Sequence, residues 1–209
     1  MLDERSFSAA VAELCSTDSD LAAIVEQHGI PEFWAREPGF PTLVLLILEQ
    51  QVSLASARAA YDRLVTRLGG LTPRGVLDST DEELRGDGFS RQKNRYARAL
   101  AAALEDRSLD LDEIASLDDI GVREALVALP GIGPWTAEVV AMRGLGDPDA
   151  FPASDLGVRL AAEQLGLVSE VRALTAHSAR WRPWRSYAVQ HLWTTLDHSV
   201  NHWPPKETN

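Results

Sequence analysis

The residues with the clearest chemical potential lie in a glycine-rich stretch, Leu129-Pro130-Gly131-Ile132-Gly133-Pro134-Trp135-Thr136-Ala137, and in an aspartate beyond it, Asp155. Gly131 and Gly133 flank one apolar residue, and glycine allows both a tight turn and the close approach of backbone N–H groups to a ligand. Pro134 suits the first turn of a helix, where a missing N–H group has no cost. Because a helix N-terminus presents unbonded N–H groups, this stretch predicts an anion site that could hold a phosphate.

Helices are expected on both sides of this turn. The sequence predicts one helix over Val122–Val127 and another from Pro134 to Arg143, ended by Gly144. A loop over residues 145–154 follows, with one further glycine and two prolines, and Asp155 then opens the next helical stretch. The predicted order is therefore helix, turn, helix, loop and carboxylate.

This order resembles the helix-hairpin-helix superfamily of base-excision DNA glycosylases, which is named for its hairpin, a Gly/Pro-rich loop and an aspartate. The resemblance implies that the hairpin holds a DNA phosphate through backbone N–H groups of Gly131, Gly133 and Thr136. It also implies that Asp155 is the catalytic carboxylate, which would stabilise the positive charge that builds on the sugar as the C1′–N bond breaks. Seen alone, Asp155 equally suits a helix N-cap.

Three further segments resemble the alkyladenine glycosylases of the bacterial inducible type, in the order found in that family. They are a helix end and lesion-side loop at residues 47–53, a short loop at 88–93, and the last long helix with its lead-in at 180–193. The resemblance places Gln50 and Gln51 at a tip that enters the minor groove, with Gln51 the preferred filler of the gap left by an extruded nucleotide. A polar helix end is the alternative for both.

The residue at the start of the second hairpin helix indicates the reaction type. Bifunctional relatives carry there a lysine that forms a Schiff base with C1′, whereas this chain has Trp135 and no lysine between Lys93 and Lys206. A monofunctional enzyme that leaves an abasic site is implied. Trp135 and Trp193 are implied to line the pocket and stack on a flipped, positively charged base, although both also suit core packing. Val139 is implied as a pocket residue where the branch often has tyrosine.

The resemblance also suggests contacts that hold the DNA backbone. Arg182 and Arg185 are implied DNA contacts in the lead-in to the last helix, and a solvated surface is the alternative for each. Backbone carbonyls of Val127, Leu129 and Gly131 would hold a structural monovalent cation, Na⁺ or K⁺, that bridges to a phosphate. No other cofactor is expected.

Charge is less typical of a DNA-binding protein, because the formal net charge is −11 and nucleic-acid binders usually have a basic face. Residues 1–37 and 105–124 each hold eight acidic and two basic residues, so the remainder is nearly neutral. The basic residues form two groups: Arg91, Lys93, Arg95 and Arg98, and then Arg180, Arg182 and Arg185. We therefore expect a locally basic face with weak phosphate affinity.

Apolar residues recur with a helical period, as at Leu43, Leu46 and Ile47, and this pattern predicts an all-α fold of about ten helices. By resemblance, the helices form two subdomains with a cleft between them. A middle subdomain over 39–148 ends in the helix-hairpin-helix, and residues 1–38 and 149–209 form the terminal subdomain. The extra N-terminal β-rich domain of larger family members is expected to be missing.

Composition indicates the compartment. The only cysteine, Cys15, excludes an internal disulfide and a cysteine-ligated iron–sulfur cluster and fits a reducing cytoplasm. No signal peptide is expected at the N-terminus, and no apolar run approaches the roughly 18 residues of a membrane helix. The prediction is a bacterial cytoplasmic protein associated with the nucleoid.

The leading hypothesis is a monomeric, monofunctional glycosylase that removes 3-methyladenine and 7-methylguanine from double-stranded DNA. One alternative is a non-catalytic protein of the same fold that binds damaged DNA, which the acidic charge and Pro134 favour. The other is a helical protein-interaction module in which the hairpin merely packs.

Overall fold

The computed structural model describes residues 4–30, 36–37 and 39–196 of the 209-residue chain. Within these ranges the chain forms thirteen α-helices and one 3-10 turn, and no described residue is in a strand. The all-α prediction is confirmed. The helices outnumber the ten or so expected because four of them span only five to seven residues, too few to display a 3.6-residue period.

In chain order the helices are α1 (Glu4–Thr17), α2 (Ser19–His28), α3 (Phe40–Glu49), α4 (Leu54–Leu68), α5 (Pro73–Asp78), α6 (Asp81–Asp87), α7 (Arg91–Glu105), α8 (Leu111–Ala115), α9 (Asp119–Val127), α10 (Pro134–Gly144), α11 (Leu156–Gln164), α12 (Val171–His177) and α13 (Arg185–Thr194), with the 3-10 turn at Ser178–Trp181. None of these helices is long and apolar enough to cross a membrane.

The helices belong to two compact units. Within the described ranges, the middle unit comprises residues 37–137, and the terminal unit comprises the residues up to 36 together with those from 138 onward. The boundary between residues 137 and 138 falls inside α10. The division into 1–38, 39–148 and 149–209 stays a prediction.

The middle unit is built around α3, in which every residue from Thr42 to Leu48 is buried. A helix that is apolar on all sides needs neighbours on all sides, and α4 and α7 pack against it. The Lys93 ammonium donates a 2.7 Å hydrogen bond to the carbonyl of Leu48. A cation at this position satisfies a carbonyl that the helix end leaves unbonded and complements the negative end of the helix dipole.

The hairpin occupies residues 128–133, between α9 and α10. The Ile132 N–H donates to the Leu129 carbonyl at 3.1 Å and closes the turn, and the Ala137 N–H donates to the Gly133 carbonyl at 2.9 Å and begins α10. The helices predicted on either side of the turn are confirmed: α9 contains the first, and α10 contains the second and ends at the predicted Gly144.

The terminal unit is built around α13, whose residues from Ser186 to Trp193 are all buried. Helices α1, α2 and α11 pack against it. Asp18 makes both a local and a long-range contact. Its carboxylate accepts from the N–H groups of Asp20 and Leu21 and so caps α2, and it also accepts a 2.7 Å hydrogen bond from the indole of Trp181. Asp18 thus links α2 to the 3-10 turn that precedes α13.

Candidate functional site

A groove of about 730 Å³ runs along the hairpin in the middle unit. Its lining consists of Gln50, Gln51, Gln92, Tyr96, Val127, Ala128, Leu129, Pro130, Gly131, Ile132, Gly133, Trp135 and Thr136. None of these side chains carries a formal charge at neutral pH. In a chain with a net charge of −11, this lining spares an anion in the groove from direct contact with a carboxylate.

The first turn of α10, at the positive end of the helix dipole, contains no acidic residue. Because Pro134 has no N–H group and the first helical hydrogen bond is donated by Ala137, the N–H groups of Gly133 and Thr136 precede the hydrogen-bonded part of the helix. Such groups, together with the helix dipole, form an anion site. The anion site that the glycine-rich sequence predicts at this position stays a prediction.

The two glycines of the hairpin have different structural roles. Gly131 has a φ of +90°, and a Cβ there would approach the Tyr96 ring to 2.2 Å. A side chain at Gly133 would meet nothing within 4 Å. Gly131 is therefore required by the turn and by Tyr96, whereas Gly133 leaves open space beside the backbone, as expected of a residue that a phosphate approaches.

The two glutamines at the end of α3 also differ. The Gln50 amide donates to the carbonyl of Gly131 at 2.9 Å and to the hydroxyl of Thr136 at 3.3 Å. Gln51 is exposed and has a φ of +59°, in the left-handed region that non-glycine residues rarely adopt. The structure thus turns Gln50 towards the hairpin and leaves Gln51 exposed.

The carbonyls of Val127, Leu129 and Gly131 belong to residues that line the groove. The Leu129 carbonyl accepts from Ile132 and the Gly131 carbonyl accepts from Gln50. A carbonyl oxygen has two lone pairs, so one bond to each still leaves a position for a ligand. Neutral oxygen donors fit a hard monovalent cation, and these residues are compatible with one.

Asp155 lies at the N-cap of α11 and is half-buried. Its Oδ1 accepts a 2.9 Å hydrogen bond from the Val158 N–H and a 3.1 Å hydrogen bond from the Trp193 indole N–H. Asp155 can therefore be both an N-cap and a chemically active carboxylate, because the cap contact holds the carboxylate in place and the indole orients it.

Gly157 makes this arrangement possible, and the sequence analysis did not single it out. A Cβ at Gly157 would lie 3.1 Å from Asp155 Oδ1 and 3.1 Å from the Trp193 indole nitrogen. Its only signal in the sequence is a glycine two residues after an N-cap aspartate, within a helix that glycine ordinarily weakens.

Trp193 is largely buried, with 9% of its surface exposed. The Arg143 guanidinium lies over the ring, 4.7 Å from its centre, at a distance typical of a cation–π interaction. Trp193 is thus held through its N–H by Asp155 and through its ring by Arg143.

The other two predicted pocket residues lie on α10, four residues apart and so on one face of the helix. Trp135 is half-buried and lines the groove. Val139 belongs to the core of the terminal unit, with 4% of its surface exposed. Little of its side chain is available to a ligand.

Arg182 and Arg185 both contact Asp149, a residue that the sequence analysis did not identify. The Arg185 guanidinium donates two 2.8 Å hydrogen bonds to the Asp149 carboxylate, and both side chains are 12% exposed. Arg182 lies 3.2 Å from the same carboxylate but is 57% exposed. Arg185 thus has a structural partner, and Arg182 keeps a surface for other contacts.

The basic group on α7 is also partly committed to the fold. Lys93 bonds to the carbonyl of Leu48 at the end of α3. The Arg98 guanidinium donates to the carbonyls of Val76, Leu77 and Ser79. Arg91 and Arg95 are exposed.

Comparison with known proteins agrees with this geometry. A family model described as HhH-GPD superfamily base excision DNA repair protein matches residues 44–186. The chain is 48% identical to a Mycobacterium tuberculosis protein named probable bifunctional transcriptional activator/DNA repair enzyme AlkA, over 99% of this chain and 43% of that protein. The chain therefore spans less than half the length of this curated relative.

Two solved structures share the fold over most of both chains. A DNA-3-methyladenine glycosidase from Bacillus halodurans has a TM-score of 0.77 and 32% identity, over 89% of this chain and 88% of that one. The Schizosaccharomyces pombe 3-methyladenine DNA glycosylase Mag1, solved in complex with abasic DNA, has a TM-score of 0.82 and 25% identity, over 90% and 96%. With more than half of its residues matched by the family model, this chain belongs to the HhH-GPD superfamily of base excision DNA repair proteins.

Proposed function

We propose that this protein is a monofunctional DNA glycosylase that excises alkylated purines, such as 3-methyladenine and 7-methylguanine, from double-stranded DNA. The observation that carries the proposal is the Asp155 carboxylate, which hydrogen bonds from Val158 and Trp193 hold in place. Relatives named DNA-3-methyladenine glycosylase, and the structure of Mag1 with abasic DNA, support the same substrate class.

A fixed carboxylate suits the chemistry of base excision. As the C1′–N bond breaks, positive charge develops on the sugar, and a negative charge placed in advance stabilises it. Asp155 could also orient or deprotonate the attacking water. Both roles require a carboxylate that is fixed in position, and the hydrogen bond that the Trp193 N–H donates to Oδ1 orients it.

The expected product is an intact strand with an abasic site. Cleavage through a Schiff base requires an amine nucleophile. Lys93 and Lys206 are the only lysines of the chain, and the Lys93 ammonium donates to the end of α3. Trp135 stands where bifunctional relatives have the lysine, and its ring at the groove could stack on a flipped base.

DNA would be held mainly by dipoles of the hairpin. The N–H groups of Gly131, Gly133 and Thr136 would bind one phosphate at the N-terminus of α10. A Na⁺ or K⁺ ion on the carbonyls of Val127, Leu129 and Gly131 would supply the positive charge that the groove lacks. The proposed partner is double-stranded DNA, and the protein is proposed to act as a monomer. Its proposed location is the cytoplasm of a bacterium, in association with the nucleoid.

Release of bases from methylated duplex DNA tests the activity. Incubation with excess protein should release 7-methylguanine and 3-methyladenine, detected by chromatography, and should leave alkali-labile sites. DNA binding without release would instead favour the non-catalytic damaged-DNA-binding protein. Absence of both would exclude any DNA-directed role for this chain.

Gly133→Ala tests the hairpin as the phosphate site. The added methyl group enters open space and so should leave the fold unchanged, but it occupies the position of an approaching phosphate. Gly86→Ala is a matched control, because a Cβ at Gly86 also meets nothing within 4 Å. We expect a several-fold weaker affinity for an abasic-analogue duplex in Gly133→Ala alone. Equal affinities of the two variants would contradict the hairpin site.

A further inference from the structure

Gln50 connects three parts of the middle unit. It follows the last residue of α3, and its amide donates both to the Gly131 carbonyl in the turn and to the Thr136 hydroxyl in the first turn of α10. Gln50 is half-buried, and Thr136 is 4% exposed. Because part-buried hydrogen bonds to fixed partners restrict a side chain more than solvated ones do, Gln50 is held by the hairpin.

The same turn is held on another side by α7. The Tyr96 ring fills the space where a Gly131 side chain would lie, with its nearest atom 2.2 Å from the ideal Cβ position. The Tyr96 hydroxyl in turn accepts a 2.6 Å hydrogen bond from Gln92. Gly131 is thus bonded at its carbonyl by Gln50 and packed on its Cα side against Tyr96 of α7, and the direction of the following N–H groups depends on both.

The residue after Gln50 has the opposite character. Gln51 is exposed, lines the groove and has a left-handed backbone conformation. A side chain committed to Gly131 and Thr136 is unavailable for the DNA, whereas an exposed side chain at the tip of a turn is available. The geometry therefore indicates different roles for these two adjacent glutamines.

We propose that Gln50 is a positioning residue that holds the hairpin in its phosphate-binding conformation, and that Gln51 alone enters the DNA at this tip. The proposal rests on the proposed function as a DNA-binding repair enzyme. It revises the expectation that both glutamines contact the DNA. Its consequence is that loss of Gln50 weakens every DNA complex alike, whereas loss of Gln51 weakens chiefly the complexes in which a nucleotide is missing or extruded.

Affinities for two duplexes distinguish these effects. Gln50→Met keeps the length of the side chain and removes the donor, and Gln27→Met, at an exposed position of α2, is the matched control. For Gln50→Met we expect a loss of about two- to tenfold, the value of one or two hydrogen bonds, that is equal on an undamaged duplex and on one with a tetrahydrofuran abasic analogue. For Gln51→Ala we expect a larger loss on the abasic duplex.

The ratio of the two affinities decides the outcome. If Gln50→Met lowers the preference for the abasic duplex as much as Gln51→Ala does, Gln50 also enters the DNA and the positioning role is wrong. If it changes neither affinity, the hydrogen bonds to the hairpin do not support binding and the proposal is likewise wrong.

Hydrogen exchange without DNA tests the positioning role independently of the proposed function. The hydrogen-bonded N–H groups of Ile132 and Ala137 should exchange about two- to tenfold faster in Gln50→Met, the effect of one or two lost hydrogen bonds, and faster still in Gln50→Glu, whose carboxylate repels the Gly131 carbonyl. Gln51→Ala should exchange like the wild type. Unchanged exchange in both Gln50 variants would overturn the proposal, whereas a wild-type protein that binds neither duplex would overturn the proposed function.

Discussion

Replacing Asp155 with asparagine separates its charge from its structural role. Both described acceptor contacts fall on one oxygen, Oδ1, which takes hydrogen bonds from Val158 at 2.9 Å and from Trp193 at 3.1 Å. The amide oxygen of asparagine can accept both, so Asp155→Asn should keep the N-cap and the indole contact. What disappears is the negative charge that would face the developing cation.

The expected size of each effect follows from these contacts. Removing one preorganised electrostatic group from an active site lowers the rate about 10²- to 10³-fold, and we expect this loss for Asp155→Asn with an unchanged melting temperature. Asp155→Ala also removes a cap worth about 1 kcal/mol and an indole hydrogen bond worth about 1 kcal/mol. In a chain of this size, that loss lowers the melting temperature by about 4–8 °C.

The assay is single-turnover release of 7-methylguanine at saturating protein, with thermal melts of all three proteins. A folded Asp155→Asn protein within about fivefold of the wild-type rate would show that the carboxylate charge is not used. An Asp155→Asn protein that melts as early as Asp155→Ala would show that the Oδ1 contacts do not stabilise the start of α11.

Three further predictions concern other residues of the chain. Gly157→Ala should reduce base release by up to about tenfold with little loss of DNA binding, because its Cβ would lie 3.1 Å from both Asp155 Oδ1 and the Trp193 indole nitrogen and must displace them slightly; an unaltered single-turnover rate would contradict this. With Trp135 in place of a lysine, borohydride should trap no covalent protein–DNA complex, and an efficiently trapped band on a denaturing gel would disprove the monofunctional mechanism. Burial holds the pKa of His191 below its ordinary value, against the smaller opposite effect of its hydrogen bond to a backbone carbonyl, so the folded state favours the neutral ring. Stability should therefore be lost as the pH falls from about 6.5, and the melting temperature of His191→Leu should fall less between pH 8 and pH 5 than that of the wild type; parallel curves would refute this origin.

Local patterns account for the parts of the site that the sequence predicted. The turn around Gly131 and Gly133, the proline that begins α10 and the aspartate that begins α11 all act within a few residues of their own position. Glycine and proline restrict the backbone directly, and an N-cap is a contact between neighbours. Such features can be predicted from the sequence without knowledge of the tertiary structure.

Long-range partners explain what the sequence could not provide. The partner of Gln50 lies 81 residues away and that of Arg185 lies 36 residues away, and a hydrogen bond between distant side chains leaves no periodic signal. Arg185 therefore resembled a surface cation in the sequence, although Asp149 neutralises it inside the fold. The restriction that Tyr96 places on Gly131 was hidden for the same reason.

The hairpin groove offers a DNA phosphate dipoles instead of charges, and this bears on the kinetics of encounter. A protein with a net charge of −11 is repelled by DNA over roughly a Debye length, about 10 Å at 0.1 M salt. Added salt should then accelerate association, the reverse of the behaviour of basic proteins that the polyanion attracts. After contact, few counterions are released, so the lifetime of a complex should depend little on salt. For the proposed function on DNA, this charge predicts many brief, separate encounters with the duplex rather than long slides along it.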